Sequence, residues 1–211
     1  MALRLYYAPR TRAFTTLWLL EELGVEYELE SFAFESDRHK QPDYLAQNPM
    51  GKIPLVVHDG LPVSETGAIA IYLADRFAGQ PGATTLAPAL DDPRRPAYLR
   101  WMFFVAGVFE PALAQKFFKW QVSPSTVAWG SFEQMSEVLR DGVAGRQWLL
   151  GAEFSAADVV VGAAARFGLL FGAFEQTGPI ADYVARVTAR EAFARADAIE
   201  ARESQRFPKA P

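Results

Sequence analysis

Ile53-Pro54 stands directly before an apolar run in the segment NPMGKIPLVV. A proline at the start of a strand keeps the residue before it extended. With a cis bond, the N–H and C=O of Ile53 form an edge on which a peptide ligand can pair; an ordinary trans proline at a strand start is the plainer alternative. Ser64-Glu65-Thr66-Gly67 opens a second segment, ahead of AIAIYLADRF. The free N–H groups and positive dipole of a helix entrance favour a carboxylate, and Glu65 beside it suits an ammonium. An α-amino acid head needs both at once. The competing use is N-capping by Ser64 with an acid in the first turn. The third segment, YYAPRTRAFTT, brings the hydroxyls of Tyr6, Tyr7, Thr11, Thr15 and Thr16 near another helix entrance, where donors and dipole stabilise a thiolate. Each taken singly also serves as a core tyrosine or a capping threonine.

Other features read as structural. Phe154-Ser155-Ala156-Ala157-Asp158, ahead of VVVGAAA, has the form of a capping box with Asp in the Glu/Gln place. His39 and His58 are expected in a surface loop and a surface hairpin. The aromatic group Phe103, Phe104, Phe109, Phe117, Phe118 and Trp120 is expected mostly in the core, with a few members free to line a pocket.

The elements that must carry these segments follow from patterning. Leu3 to Ala8 predicts a strand ended by Pro9 and Arg10, and Ala13 to Leu23 predicts a helix stopped by Gly24. Val25 to Phe34 alternates as a second strand, making a strand–helix–strand unit with a parallel pair. The polar stretch from Glu35 to Lys52, broken by Pro42, Pro49 and Gly51, predicts a loop with at most a short helix. IPLVVHDGLPVSE predicts a hairpin at Asp59-Gly60, and Pro62 places its second strand at a sheet edge. A helix follows from near Glu65 to Phe77. Residues 79–96 hold Pro81, Pro88, Pro93 and Pro96 and predict an interdomain linker. Beyond them the spacing is helical, so the expected architecture is a sheet-forming domain over 1–78 and an all-helical domain over 97–211.

Composition narrows the chemistry. Half of the 211 residues are hydrophobic, which suffices for sizeable cores. The formal charge of -4 with scattered Lys and Arg argues against nucleic-acid or anionic-membrane partners. There is no cysteine, and neither histidine has a partner at ligand spacing, so no cysteine nucleophile and no metal are expected. The opening MALRLYYAPRTR shows no secretory pattern and no apolar run reaches membrane-spanning length, so a cytoplasmic location is expected.

Taken together, LYYAPRTRAFTTLWLLEELGVEYE, NPMGKIPLVVHDG, SETGAIAIYLADRF and FSAADV strongly resemble bacterial cytosolic glutathione S-transferases. The likeness is specific from residue 3 to about 77 and fades after about 190. The resemblance implies a thioredoxin-like α/β domain, βαβ-α-ββα with a mixed four-stranded sheet, followed by an all-α domain that shapes a hydrophobic co-substrate pocket. It implies that Pro54 is cis, that Ile53 pairs with the cysteinyl part of glutathione, and that Glu65 and Thr66 hold the γ-glutamyl head. His39 and Lys40, with Lys52 as a second possibility, match positions near the glycine carboxylate. The sulfur-activating position departs from the family: Thr11 stands where relatives often carry Ser, with the N–H groups of Arg12 and Ala13 beside it, and Tyr7 is the alternative donor. The implied activity is transfer of bound glutathione, as co-substrate, to a small hydrophobic electrophile, by a homodimer. Two further readings are glutathione-dependent peroxide or disulfide reduction and a non-catalytic interaction protein of the same fold. An isomerase of the maleylacetoacetate type is disfavoured, because YYAPRTRAF lacks a Ser-Ser-Cys run.

Overall fold

The computed structural model describes residues 2–208. In chain order its elements are β1 (Leu3–Tyr7), α1 (Ala13–Leu23), β2 (Glu28–Ser31), α2 (Pro42–Leu45), β3 (Leu55–His58), β4 (Leu61–Ser64), α3 (Thr66–Phe77), α4 (Arg95–Phe104), α5 (Glu110–Phe118), α6 (Phe132–Val143), α7 (Ala156–Leu170), α8 (Pro179–Thr188) and α9 (Glu191–Arg206). A π-helical turn, Val105–Phe109, joins α4 to α5.

Two compact units emerge, one formed by Met1–Thr85 with Arg190–Pro211 and the other by Leu86–Ala189. The first is a thioredoxin-like α/β unit. Its sheet has the order β2-β1-β3-β4, with β1 and β2 parallel and the other pairs antiparallel. Pro62 pairs with Val57 on the edge strand β4, where a missing N–H is tolerated. Helix α1 ends as its sequence dictates: Gly24 turns left-handed at φ 69° and its N–H donates to the Leu20 carbonyl. Tyr6, Ala8, Phe32, Tyr44 and Leu55 form one buried cluster in this unit.

Strand β2 is shorter than the alternation of Val25 to Phe34 predicts. The chain keeps one further sheet bond, from the Phe32 N–H to the Tyr7 carbonyl at 3.0 Å, and then turns away through the short helical turns Phe34–Ser36 and Arg38–Lys40. The last helix also groups differently from the expected 97–211 domain, since α9 packs on α1 within the sheet unit. Phe193 meets the Trp18 ring edge-on at a centroid distance of 5.1 Å. Arg190 makes two 2.7 Å bonds to the buried Glu22 carboxylate, which also accepts from the Trp18 indole. The sequence hides this because α9 reads as a charged helix with a narrow apolar stripe.

The second unit is helical. Its centre is α7, whose capping box forms as the motif predicts. Asp158 is fully buried; one carboxylate oxygen accepts from the Ser155 N–H and hydroxyl, both at 3.0 Å. The other accepts from the Leu149 N–H at 2.8 Å and the Tyr183 hydroxyl at 3.1 Å. Burial pushes this carboxyl upward, and the four donors oppose that shift. Of the aromatic group expected mostly in the core, Phe104 and Phe109 are buried, whereas Phe103, Phe117, Phe118 and Trp120 are exposed.

Candidate functional site

Strand register brings three of the singled-out segments to one end of the sheet. Leu55 pairs with Tyr6 on one side and with Ser64 on the other. Ile53-Pro54 immediately precedes that row, Glu65-Thr66 immediately follows it, and the loop from Ala8 to Arg12 leaves β1 beside it. A peptide edge, a helix entrance and a hydroxyl-bearing loop therefore lie together at this end of the sheet.

The Ile53-Pro54 bond is cis. Ile53 is partly exposed, and among the described residues neither its N–H nor its C=O takes part in a backbone hydrogen bond. Below it the polypeptide is pinned: the Lys52 carbonyl accepts from the Tyr44 hydroxyl at 2.6 Å and from the Asn48 amide at 2.8 Å.

Helix α3 does not use Ser64 as its N-cap, contrary to the capping alternative. Glu65 holds that position, its side chain makes no capping bond, and no acid lies in the first turn. Glu65 also sits at φ 70° and ψ 120°, a conformation in which non-glycine residues are strained. Its side chain is exposed at the open helix entrance beside Thr66. Strain of this kind clusters at ligand clamps, where the surrounding structure enforces it.

In the β1–α1 loop the Thr11 hydroxyl donates to the Ala8 carbonyl at 2.7 Å and accepts the Ala13 N–H at 3.2 Å. Arg12 is exposed and begins α1 as its N-cap. Tyr7 is otherwise placed than an alternative sulfur donor requires. It is fully buried, and its hydroxyl donates to Glu200 on α9. Burial, reinforced by the Glu200 carboxylate, pushes its phenol far up. A hydroxyl committed to a carboxylate has no proton left to offer a thiolate.

The histidines also need correction, since both are buried, at 4% and 1% exposure for His39 and His58. His39 stacks on Phe34 at a centroid distance of 4.7 Å, and its Nδ1 is buried without a partner among the described residues. Burial, then the neighbouring Lys40 charge, holds its imidazole below the ordinary value. His58 lies within the hairpin with Nδ1 2.9 Å from the Tyr72 hydroxyl. Lys40 is exposed and pairs with Asp37 at 2.8 Å, and Lys52 is exposed. Gly51, next to Lys52 in the chain, turns at φ 57°; a Cβ there would stand 3.2 Å from the His39 carbonyl oxygen.

Sequence reasoning missed Glu200, which binds Tyr7 and accepts the Arg10 N–H at 2.7 Å. It lies beyond the region of specific resemblance, in a run of charges that looks like a solvated helix face. Among the described residues no cluster of metal-ligating side chains is present, and no helix is long and apolar enough to cross a membrane.

Comparison with known proteins accords with this geometry. The family described as "Glutathione S-transferase, N-terminal domain" matches residues 1–75. The "Glutathione S-transferase-like protein LUC7" of a Fusarium species is 32% identical over 172 residues, covering 74% of this chain and 73% of that protein. "Disulfide-bond oxidoreductase YfcG" of Escherichia coli is 28% identical over 168 residues, covering 74% of this chain and 75% of that protein. A solved glutathione transferase homologue from Sulfitobacter, with bound glutathione, superposes with a TM-score of 0.71 at 25% identity, covering 94% of this chain and 98% of that one. On the strength of its sequence relatives and its thioredoxin-like sheet, the chain belongs to the glutathione S-transferase family.

Proposed function

We propose that this protein binds glutathione and activates its thiol for attack on a hydrophobic electrophile. The observation that carries the reading is the meeting, at one sheet end, of the Ile53 backbone edge, the strained Glu65 at an open helix entrance, and the Thr11 loop. Ile53, presented by Pro54, pairs with the cysteinyl unit. Glu65 takes the γ-glutamyl ammonium, and Thr66 with the first α3 amides takes its carboxylate. Lys40 or Lys52 offers a cation to the glycine carboxylate, with His39 beside them. Thr11 donates to sulfur, assisted by the amides of Arg12 and Ala13, and so lowers the thiol pKa. The protein contributes thiolate stabilisation and proximity; the sulfur of glutathione is the nucleophile.

The helical region supplies the co-substrate pocket, and the working unit is a cytoplasmic homodimer. Glutathione-dependent disulfide or peroxide reduction is the second reading. The name of the Escherichia coli relative favours it, and a chain with no cysteine has to draw such thiol chemistry from bound glutathione. Retention on immobilised glutathione with release by free glutathione tests the site. Conjugation of an activated aryl halide, measured against reduction of a small disulfide, separates the two activities. No retention and no heat of glutathione binding in calorimetry would sink the reading and leave the non-catalytic interaction protein.

A further inference from the structure

Besides the Thr11 bonds within it, the β1–α1 loop is held from outside, by α9. Arg10 is left-handed at φ 62°, a costly conformation for a residue with a side chain. Its backbone N–H donates to Glu200 Oε1 at 2.7 Å, while the same carboxylate accepts the Tyr7 hydroxyl through Oε2. Arg10 also donates through its side chain: the guanidinium reaches the carbonyl of Phe207 at 2.7 Å, at the end of α9. One strand away, the Ser31 hydroxyl donates to Glu203 on the next turn of the same helix at 2.7 Å.

From this clamp we infer that Glu200 is the positioning residue of the sulfur-activating loop, fixing Tyr7 and Arg10 on either side of the Ala8-Pro9 turn and so setting where Thr11 and the first amides of α1 stand. The inference rests on the glutathione reading above for the chemistry it serves. Glu200 binds the backbone of Arg10, so the identity of the Arg10 side chain is secondary to this role. The carboxylate also accounts for Tyr7: the buried hydroxyl that looks like a sulfur donor in the sequence is the second anchor of the clamp. A positioning group acts on the direction of the Thr11 hydroxyl and the adjoining amides. Its loss therefore falls on thiolate stabilisation more than on the affinity set by Ile53, Glu65 and Thr66.

The test uses the full chain with Glu200→Ala, Glu200→Gln and Glu200→Asp. Hydrogen exchange at the Arg10 amide reads the clamp, and thiolate absorbance of bound glutathione against pH reads its consequence. With Glu200→Ala, exchange at Arg10 rises about tenfold or more, and the bound thiol pKa rises by about one unit, a tenfold loss of thiolate at a pH below it. The glutathione dissociation constant stays within about threefold. Glu200→Gln, which keeps an acceptor for the Arg10 N–H, recovers most of the exchange protection. Should the alanine variant not fold, Glu200→Asp, one methylene short of reaching both partners, shows the same two changes in smaller degree. Variants that lose only thermal stability, with exchange and thiol pKa like the parent's, overturn the inference. A parent that binds no glutathione overturns the functional reading, and the exchange data still judge the clamp by itself.

Discussion

Thr11 Oγ1 lies 2.7 Å from the carbonyl oxygen of Ala8 and donates to it, so the one proton of this hydroxyl faces back along its own loop. The Ala13 N–H holds the oxygen from the other side at 3.2 Å. Donation to a bound sulfur then requires the hydroxyl proton to leave the Ala8 carbonyl, while the Ala13 bond keeps the oxygen in place.

Thr11→Val should therefore raise the pKa of the bound thiol by about one unit, equivalent to ~1.4 kcal/mol of thiolate stabilisation. Thr11→Ser should retain the parent value. Affinity for glutathione should change much less, because the backbone and Glu65 contacts remain. Thiolate absorbance against pH measures the shift. If the valine variant titrates like the parent, the first amides of α1 become the leading sulfur donors.

Glu65→Ala should weaken glutathione binding by about 1.5–3 kcal/mol, the scale of a charge-assisted hydrogen bond. The same change has a second arm. Alanine at φ 70° keeps the backbone strain without the ligand contact, whereas Glu65→Gly relieves the strain. The glycine variant should match alanine in lost affinity yet be more stable to urea than alanine. Calorimetry and urea unfolding report the two quantities separately. Unchanged affinity in both variants removes Glu65 from the site.

Much of the first unit was legible in the sequence because its signals are local. Gly24 closes α1, Asp59-Gly60 turns the hairpin, and Pro62 sits on the edge strand. The box from Ser155 to Asp158 is equally local, and it forms. What escaped depends on long-range partners. Tyr7 is as compatible with a sulfur donor as with a buried strut until Glu200, 193 residues away in sequence, is placed against it. His39 sits among polar neighbours along the chain and His58 at a hairpin turn, yet Phe34 covers one and the α3 residues Tyr72 and Phe77 flank the other. The regrouping of α9 with the sheet has the same cause, since Phe193 and Arg190 acquire meaning only against Trp18 and Glu22.

Asp158→Ala should destabilise the protein more than Ser155→Ala. Removing the serine hydroxyl disturbs one cap, at about 0.5–2 kcal/mol. Removing the carboxylate leaves the Leu149 N–H, the Ser155 N–H and the Tyr183 hydroxyl without that acceptor, at about 3 kcal/mol or more. Glutathione affinity should be preserved in molecules of either variant that fold. Urea unfolding followed by circular dichroism ranks them. Equal losses would mean that the serine cap, and not the carboxylate, holds the start of α7.

Tyr44 sets a pH dependence at the alkaline end. Burial, with a smaller contribution from Tyr6, pushes its phenol up to about 12 from an ordinary 10.0. A raised folded-state pKa means that the neutral form is favoured by folding, so its contribution is complete below pH 10 and is lost as the pH rises through about 12. Tyr44 is fully buried, and its hydroxyl donates to the Lys52 carbonyl at the foot of the Ile53 edge. Tyr44→Phe should thus cost about 1 kcal/mol near neutrality through the lost hydrogen bond. Between pH 10 and pH 12 the parent should lose on the order of 2 kcal/mol relative to the variant, so the gap closes and then reverses. Urea unfolding of both proteins at pH 7, 10 and 12 tests the sign. A difference that stays constant across that window would show that the phenol does not titrate with unfolding, and would remove Tyr44 as the source of the alkaline transition.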